Sequence, residues 1–202
     1  MFLPFMFASC TGMSGLQPTS YVEIRQPDGL QVDADGNDRL VYIQRPFEGG
    51  LKVCGMQKNS AYLDVGKIEC KTNPADTLAD LFAGELRKAG FRVQGNPDQP
   101  KPSTLQIRGV MMKFFLEPVG SQGNETDVQL RLTARSDTGL EAERIFYEKG
   151  RSMDAQRSVN GAVRKVLETM TNSITELMND YPMLGRSGTA AGMLAPSSRP
   201  LP

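Results

Sequence analysis

The sequence has no histidine and no tryptophan among its 202 residues, and it has only three cysteines. Without histidine it cannot form a Ser-His-Asp or Cys-His catalytic group, an imidazole metal ligand or an imidazole that titrates near neutral pH. Its 23 basic residues equal its 23 acidic residues, so it has no excess positive charge with which to bind nucleic-acid phosphates. The composition therefore predicts a non-catalytic protein with no cofactor, no metal ion and no nucleic-acid partner.

Long apolar runs are absent too, since no stretch reaches the length of about 20 residues that a helix needs to span a bilayer. A shorter apolar segment at the start ends in the small residues Ala8 and Ser9 and is followed by Cys10. This order is similar to the lipobox of bacterial lipoproteins, in which a signal peptidase cuts before a cysteine that carries diacylglycerol. We expect residues 1–9 to be a signal peptide truncated by a start codon assigned too far downstream, and Cys10 to be lipidated.

The residue after Cys10 predicts which membrane the lipid enters. In the bacterial sorting rule an aspartate there retains a lipoprotein at the inner membrane, whereas this chain has Thr11. We therefore expect the outer membrane, with the folded part facing the periplasm and the acyl chains as its anchor. The alternative is that residues 2–7 form a buried first strand of a cytosolic protein. The polar, low-complexity residues 11–20 favour a tether over that alternative.

The other two cysteines, Cys54 and Cys70, suit either of two states. In an oxidising periplasm they would form a disulfide, and closing a loop of this size would stabilise the domain by about 3 kcal/mol. Alternatively, both are unpaired thiols that behave as small core residues. The spacing alone leaves both states open.

Hydrophobic periodicity predicts the folded elements. Residues 78–89, after capping residues at 73–77, and residues 159–178 repeat apolar side chains at helical spacing, and their stop signals are Gly90 and Pro182. Residues 53–59, rich in Gly, Lys and Asn, are expected to form a loop. Alternation and β-branched or aromatic residues predict extended segments at 40–43, 91–93, 104–116, 128–135 and 144–148.

These elements predict an α+β fold, a two-layer sandwich in which one mostly antiparallel sheet carries two helices on one face. We expect this domain to span residues 39–181. Residues 10–38 are expected to form the lipidated cysteine and a flexible tether with short extended segments. Residues 182–202 hold Gly, Ser, Pro and Ala with little to bury, which predicts a disordered tail.

One predicted strand has a polar face that is a candidate partner surface. Apolar and polar residues alternate along residues 128–135, which is typical of a strand with one face in water. A charged strand face is more often simply solvated. The candidate residues for binding a partner are Gln129, Arg131, Thr133 and Arg135.

Four segments, in their order and spacing, resemble the YajG family of bacterial lipoproteins: residues 53–59, 77–93, 104–110 and 159–170. The related auxiliary lipoproteins of envelope transport systems share much of the same outline. The likeness covers residues 39–180, and its motifs are packing signatures. Cys54, Cys70 and the C-terminal tail depart from the family pattern. The resemblance implies an outer-membrane lipoprotein with a periplasmic α+β domain and without known catalytic residues.

The anchor, the tether and the polar sheet face together predict a periplasmic module of the cell envelope that binds a protein partner or assists an assembly. The alternative is an auxiliary carrier that binds lipid or another apolar ligand for an envelope transport system. Its pocket would be lined by Met111, Phe114, Phe115 and the apolar stripe of the second helix, although Met and Phe at such spacings more often belong to the core. The sequence leaves open whether the protein is a homo-oligomer.

Overall fold

The computed structural model describes residues 19–95, 105–136 and 141–180, which form one eight-stranded sheet and two α-helices. Neither of these two helices is both long enough and apolar enough to span a membrane. In chain order the elements are β1 (Thr19–Val22), β2 (Leu40–Ile43), β3 (Val53–Lys58), β4 (Asp64–Cys70), α1 (Pro74–Lys88), β5 (Arg92–Gly95), β6 (Leu105–Pro118), β7 (Asn124–Arg135), β8 (Glu141–Ser152) and α2 (Ala155–Asp180).

Strand β6 is the centre of the sheet, because three other strands pair with it. On one side it is antiparallel to β7, and β7 is in turn antiparallel to β8. Two strands share its other side: β2 runs parallel to its first part, where Ile43 pairs with Ile107, and β3 runs parallel to its last part. Beyond β2 lies β5, and beyond β3 lie β4 and then β1.

Two glycines allow close packing against β6. A Cβ atom on Gly55 would lie 2.0 Å from the carbonyl oxygen of Leu116, the residue with which Gly55 pairs. A Cβ atom on Gly109 would lie 2.6 Å from the ring of Phe47, which is buried. Both positions therefore require glycine, because any side chain would overlap its neighbour.

The two helices form where the periodicity predicts them. Asn73 caps α1, accepting a hydrogen bond from the backbone N–H of Ala75 at 3.0 Å, and Pro74 occupies the first turn. Gly90, with φ of 84°, follows its last turn. Helix α2 lies along β7 and β8 and contacts α1. Its apolar stripe is buried at Val159, Ala162, Val163, Val166, Leu167, Met170, Ile174, Leu177 and Met178.

The α+β class is confirmed, and antiparallel pairing predominates because the β6–β7–β8 ladder and the β3–β4 pair are antiparallel. The sheet is larger than predicted, and it includes parallel pairing of β1 with β4 and of β2 with both β5 and β6. The predicted loop at residues 53–59 is wrong, because β3 forms there. That strand pairs with β4 and β6 at once, and contacts with distant residues are not visible in its composition.

The second and third cysteines form a disulfide, which is one of the two states that the sequence left open. Cys54 on β3 and Cys70 on β4 are bonded, with their Cα atoms 5.6 Å apart. Cys54 is fully buried and Cys70 is half-buried. The bridge therefore joins two neighbouring strands at the edge of the core, and the alternative of two free thiols is wrong.

Residues 19–38 are packed on the folded domain, although the sequence predicted a flexible tether there. Val22 and Ile24 are buried, and β1 adds to the sheet beside β4. Further along, the backbone N–H of Gln31 donates to Glu168 Oε1 on α2 at 2.9 Å. The tether prediction is wrong for these residues, because apolar burial and side-chain acceptors on α2 hold them in place. Cys10, the predicted signal peptide and the predicted C-terminal tail lie outside the described residues.

Candidate interaction surface

The four predicted partner-binding residues lie together on one face of the sheet. Gln129, Arg131, Thr133 and Arg135 alternate along β7 with buried residues, so they point away from α2. Each is half-buried or exposed. We call the side of β6, β7 and β8 that these residues share the outer face.

Two carboxylates that were not among the predicted site residues lie on the same face. Glu125 and Asp127 are only 7% and 8% exposed, and each is held by basic side chains from neighbouring strands. Lys113 Nζ lies 2.6 Å from Asp127 Oδ2, and Lys149 Nζ lies 2.6 Å from Glu125 Oε1 and 3.2 Å from Asp127 Oδ1. Arg151 Nε also contacts Glu125 Oε2. We call these five residues the carboxylate cluster.

The period-two alternation along β7 was the signal that could have revealed these carboxylates. Extended towards the N-terminus, the series that contains Gln129 reaches Asp127 and Glu125. The strand begins at Asn124, directly after the turn, so that both carboxylates belong to it. What the sequence could not give is their burial, which depends on the basic residues that adjoining strands place over them.

Hydrogen bonds keep the carboxylate cluster ionised. Burial raises the pKa of Asp127, but hydrogen bonds from Lys113 and Lys149 outweigh it, and the net shift is downward. The hydrogen bond from Lys149 is the largest effect on Glu125 and, with the contact to Arg151, lowers its pKa against the opposing effect of burial. The same contacts raise the pKa values of Lys113 and Lys149. Both carboxylates and both lysines are therefore charged at neutral pH.

Other charged side chains on or beside the outer face also form ion pairs. Arg131 Nε lies 3.9 Å from Glu143 Oε2, and Lys58 Nζ lies 2.8 Å from Glu117 Oε2. Arg135 pairs in the ladder with Glu141. The lowered pKa values of Glu125 and Asp127 do not suit a proton donor, which needs a raised pKa. Within residues 19–95, 105–136 and 141–180, no group of three or more Cys, Asp or Glu is placed to hold a metal ion.

Apolar side chains interrupt these ion pairs near the middle of the outer face. Ile145 is 55% exposed and pairs with Arg131, and Tyr147 is 49% exposed and pairs with Gln129. Lys149 lies over the Tyr147 ring at 5.6 Å from its centroid. Aromatic residues and arginine are enriched in protein interfaces, so this part of the outer face has the composition of a binding surface.

The comparisons with known proteins give a likeness of fold. No family model and no curated protein sequence matches the chain. The crystal structure of protein XCC0632 from Xanthomonas campestris, of the family DUF330, is similar with a TM-score of 0.51 and 11% identity, covering 81% of this chain and 99% of that one. The PelC dodecamer from Paraburkholderia phytofirmans is more distant, with a TM-score of 0.40 and 10% identity over 70% of this chain and 92% of that one.

At these identities the XCC0632 likeness shows a shared fold alone, and the PelC likeness is too distant to support an inference. Neither neighbour is identified as a member of the YajG family, so that resemblance stays a prediction.

Proposed function

We propose that this protein is a non-catalytic module of the bacterial cell envelope, anchored in the outer membrane through lipid on Cys10 and binding a protein partner in the periplasm. The observation that carries the proposal is the Cys54–Cys70 disulfide. Disulfides form and persist in oxidising compartments such as the periplasm and are rare in the cytosol. The bridge therefore supports the export that a lipid anchor requires.

The anchor and the folded domain are close together in the chain. Residues 11–18 separate Cys10 from Thr19 at the start of β1, and a fully extended chain from Cys10 to Thr19 would span about 30 Å. Because residues 19–38 pack on the folded domain, the linker between the anchor and the domain is limited to residues 11–18. The proposed anchor therefore holds the domain near the membrane surface.

The outer face is the proposed partner surface, and its centre is Arg131, Ile145 and Tyr147. It combines exposed apolar groups with arginine, and most of its charges are balanced by neighbours. In the proposed arrangement both helices form one layer on the opposite side of the sheet, which leaves this face open to a partner in the periplasm.

The carrier alternative has less support. Met111 and Phe114 are buried core residues, whereas Phe115 lies on the other face of β6, so the three cannot line one pocket. An apolar cavity between α2 and the sheet, next to Leu132 and Leu177, has a volume of about 20 Å³. That volume holds about one water, whereas pockets for small molecules measure about 300–1,000 Å³.

The anchor is tested by replacing the lipidated sulfur. In the host bacterium, Cys10→Ser is expected to move the protein from the outer-membrane fraction to the soluble fraction, and the mass of the wild-type mature N-terminus should show three acyl chains on Cys10. The matched control, Ser14→Ala, should stay in the membrane. An unmodified N-terminal methionine on a protein in the cytosol would contradict the proposal.

The partner surface is tested separately by cross-linking and affinity capture from solubilised outer membranes. Arg131→Glu is expected to abolish recovery of a defined protein that the wild type captures, because it reverses a charge at the centre of the surface. Arg164→Glu makes the same charge change on an exposed position of α2 and should leave the recovery unchanged. If both variants capture the same protein as the wild type, the outer face is not the binding surface.

A further inference from the structure

Strand β8 has an open edge. In the part of the chain that the structure describes, it pairs with β7 and with no other strand. The strand is 12 residues long and contains no proline. A long strand of this kind presents backbone donors and acceptors that can pair with another chain.

The register shows which backbone groups face that edge. The N–H of Val119 donates to the carbonyl oxygen of Gly123 at 2.8 Å, at the turn where Pro118 pairs with Asn124. The backbone of Gly123 therefore faces β6, and so do the backbone groups of the odd-numbered residues that follow it in β7. Because the direction alternates along an antiparallel strand, the backbone groups of even-numbered β7 residues point to β8. Their partners in β8 are also even-numbered, and the backbone groups of these partners point back to β7. The N–H and C=O groups of odd-numbered residues from Glu141 to Arg151 therefore face the open edge.

We propose that β8 pairs with β8 of a second copy of this chain, antiparallel, about a two-fold axis at Phe146. This register places every charged residue of the strand opposite a residue of the other sign, and it pairs odd-numbered residues with odd-numbered ones, as the open-edge groups require. The pairs across the axis are Glu141 with Arg151, Ala142 with Gly150, Glu143 with Lys149, Arg144 with Glu148 and Ile145 with Tyr147.

Neighbouring registers lack this match. With the axis at Ile145, the one charged pair left is Glu141 with Lys149. With the axis between residues, like charges face each other, either Glu143 with Glu148 or Arg144 with Lys149. The pattern of the strand therefore selects one register among those close to it.

The surroundings of the edge suit a second copy. On the outer face, the exposed Ile145 would lie beside Tyr147 of the second copy, and Tyr147 would lie beside Ile145 of the second copy, so the apolar surface continues across the axis. On the side of α2, Thr169 donates to Glu148, Ser173 accepts from Arg144, and Glu176 Oε2 lies 3.0 Å from Arg144 Nη1 in an ion pair that stays within one copy. Lys165 donates to the carbonyl oxygen of Lys149 at 2.9 Å and would exchange this acceptor for water when the edge is paired.

This inference does not rest on the proposed function, and its test avoids the lipid anchor. The full chain carrying Cys10→Ser, so that acylation cannot contribute, is expected to sediment as a dimer that dissociates on dilution. In that background Arg144→Glu and Glu148→Arg, each alone, should give monomers because each places like charges across the axis. Arg164→Glu, an equal charge change away from the edge, should leave the dimer intact.

The decisive measurement mixes the two single variants. Arg144→Glu in one copy lies opposite Glu148→Arg in the other, and the unchanged Glu148 of the first lies opposite the unchanged Arg144 of the second. The mixture is therefore expected to form a heterodimer that neither variant forms by itself. Far-UV circular dichroism of each variant separates loss of pairing from loss of folding. A monomeric parent chain, an unchanged dimer in both single variants, or a mixture of folded variants that stays monomeric would overturn the proposal.

Discussion

At the scale of single residues, Gly55 is a position where the sheet tolerates little change. We expect Gly55→Ala to lower the free energy of unfolding by about 1–3 kcal/mol, because the new methyl group would overlap the carbonyl oxygen of Leu116 and push β3 from β6. Urea denaturation followed by far-UV circular dichroism measures the change.

Gly84 supplies the matched control for this prediction. It lies inside α1, and a Cβ atom there would meet no atom within 4 Å. Gly84→Ala should therefore stabilise the protein by about 0.5–1 kcal/mol through its effect on the unfolded chain. Equal effects of the two alanines would show that the approach of β3 to β6 is not tight.

The carboxylate cluster predicts how stability depends on pH. The folded pKa values of Glu125 and Asp127 are lowered, so their contribution is fully present above the ordinary carboxyl pKa of about 4 and is lost as the pH falls through the lowered values. We expect the double variant Glu125→Gln, Asp127→Asn to be less stable than the wild type at pH 7, with a difference that shrinks towards pH 3. Urea midpoints at a series of pH values measure it.

A carboxylate in a more exposed ion pair serves as the control for that series. The pKa of Glu23 is also lowered, chiefly by its hydrogen bond with Arg25, but the Glu23 side chain is 36% exposed and that of Arg25 is 60% exposed. Glu23→Gln should therefore change stability little at any pH, since exposed ion pairs contribute little. A constant difference between the double variant and the wild type from pH 7 to pH 3 would mean that the cluster does not titrate as described.

At the scale of elements, the disulfide joins β3 to β4. We expect the double variant Cys54→Ala, Cys70→Ala to lose about 3 kcal/mol of stability, because the unfolded chain gains the freedom that the closed loop denies it. Reductant should lower the urea midpoint of the wild type by a similar amount and leave that of the double variant unchanged. A wild-type midpoint that does not respond to reductant would contradict the role of the bridge.

The elements that the sequence predicted are those with a clear local period. The stripe of α2 and the alternation along β7 are visible in single segments, and both form as expected. In contrast, β1 has four residues and β3 buries Cys54 and Gly55 side by side without alternation. These strands depend on partners far along the chain, so their pairing could not be read from their own residues.

The outer face was predicted in part for the same reason. Alternation along β7 placed Gln129 and Arg131 on one face, and the structure has them there. The burial of Asp127 depends on Lys113 and Lys149, which reach it from two other strands. The register that brings three strands together is a property of the sheet, and no single segment contains it.

At the scale of the whole molecule, residues 19–38 belong to the folded domain. A chain that begins at residue 39 is expected to be unfolded or aggregated, whereas one that begins at residue 19 should fold. The shorter chain loses the buried side chains of Val22 and Ile24, which contribute about 1.5–3 kcal/mol each. It also loses β1 from the edge of the sheet, and the sum is comparable with the total stability of about 5–15 kcal/mol of a typical domain.

Thermal unfolding of both chains by far-UV circular dichroism measures this difference. A milder change isolates the contribution of burial: Ile24→Ala in the chain that begins at residue 19 should lower the melting temperature, because it removes a buried side chain without removing β1. Gln31→Ala is the matched control, since Gln31 is exposed and its contact with Glu168 uses its backbone N–H, which alanine keeps. If the chain that begins at residue 39 unfolds cooperatively at the same melting temperature as the chain that begins at residue 19, the prediction is contradicted. Residues 19–38 would then lie outside the stable unit and would act as a tether.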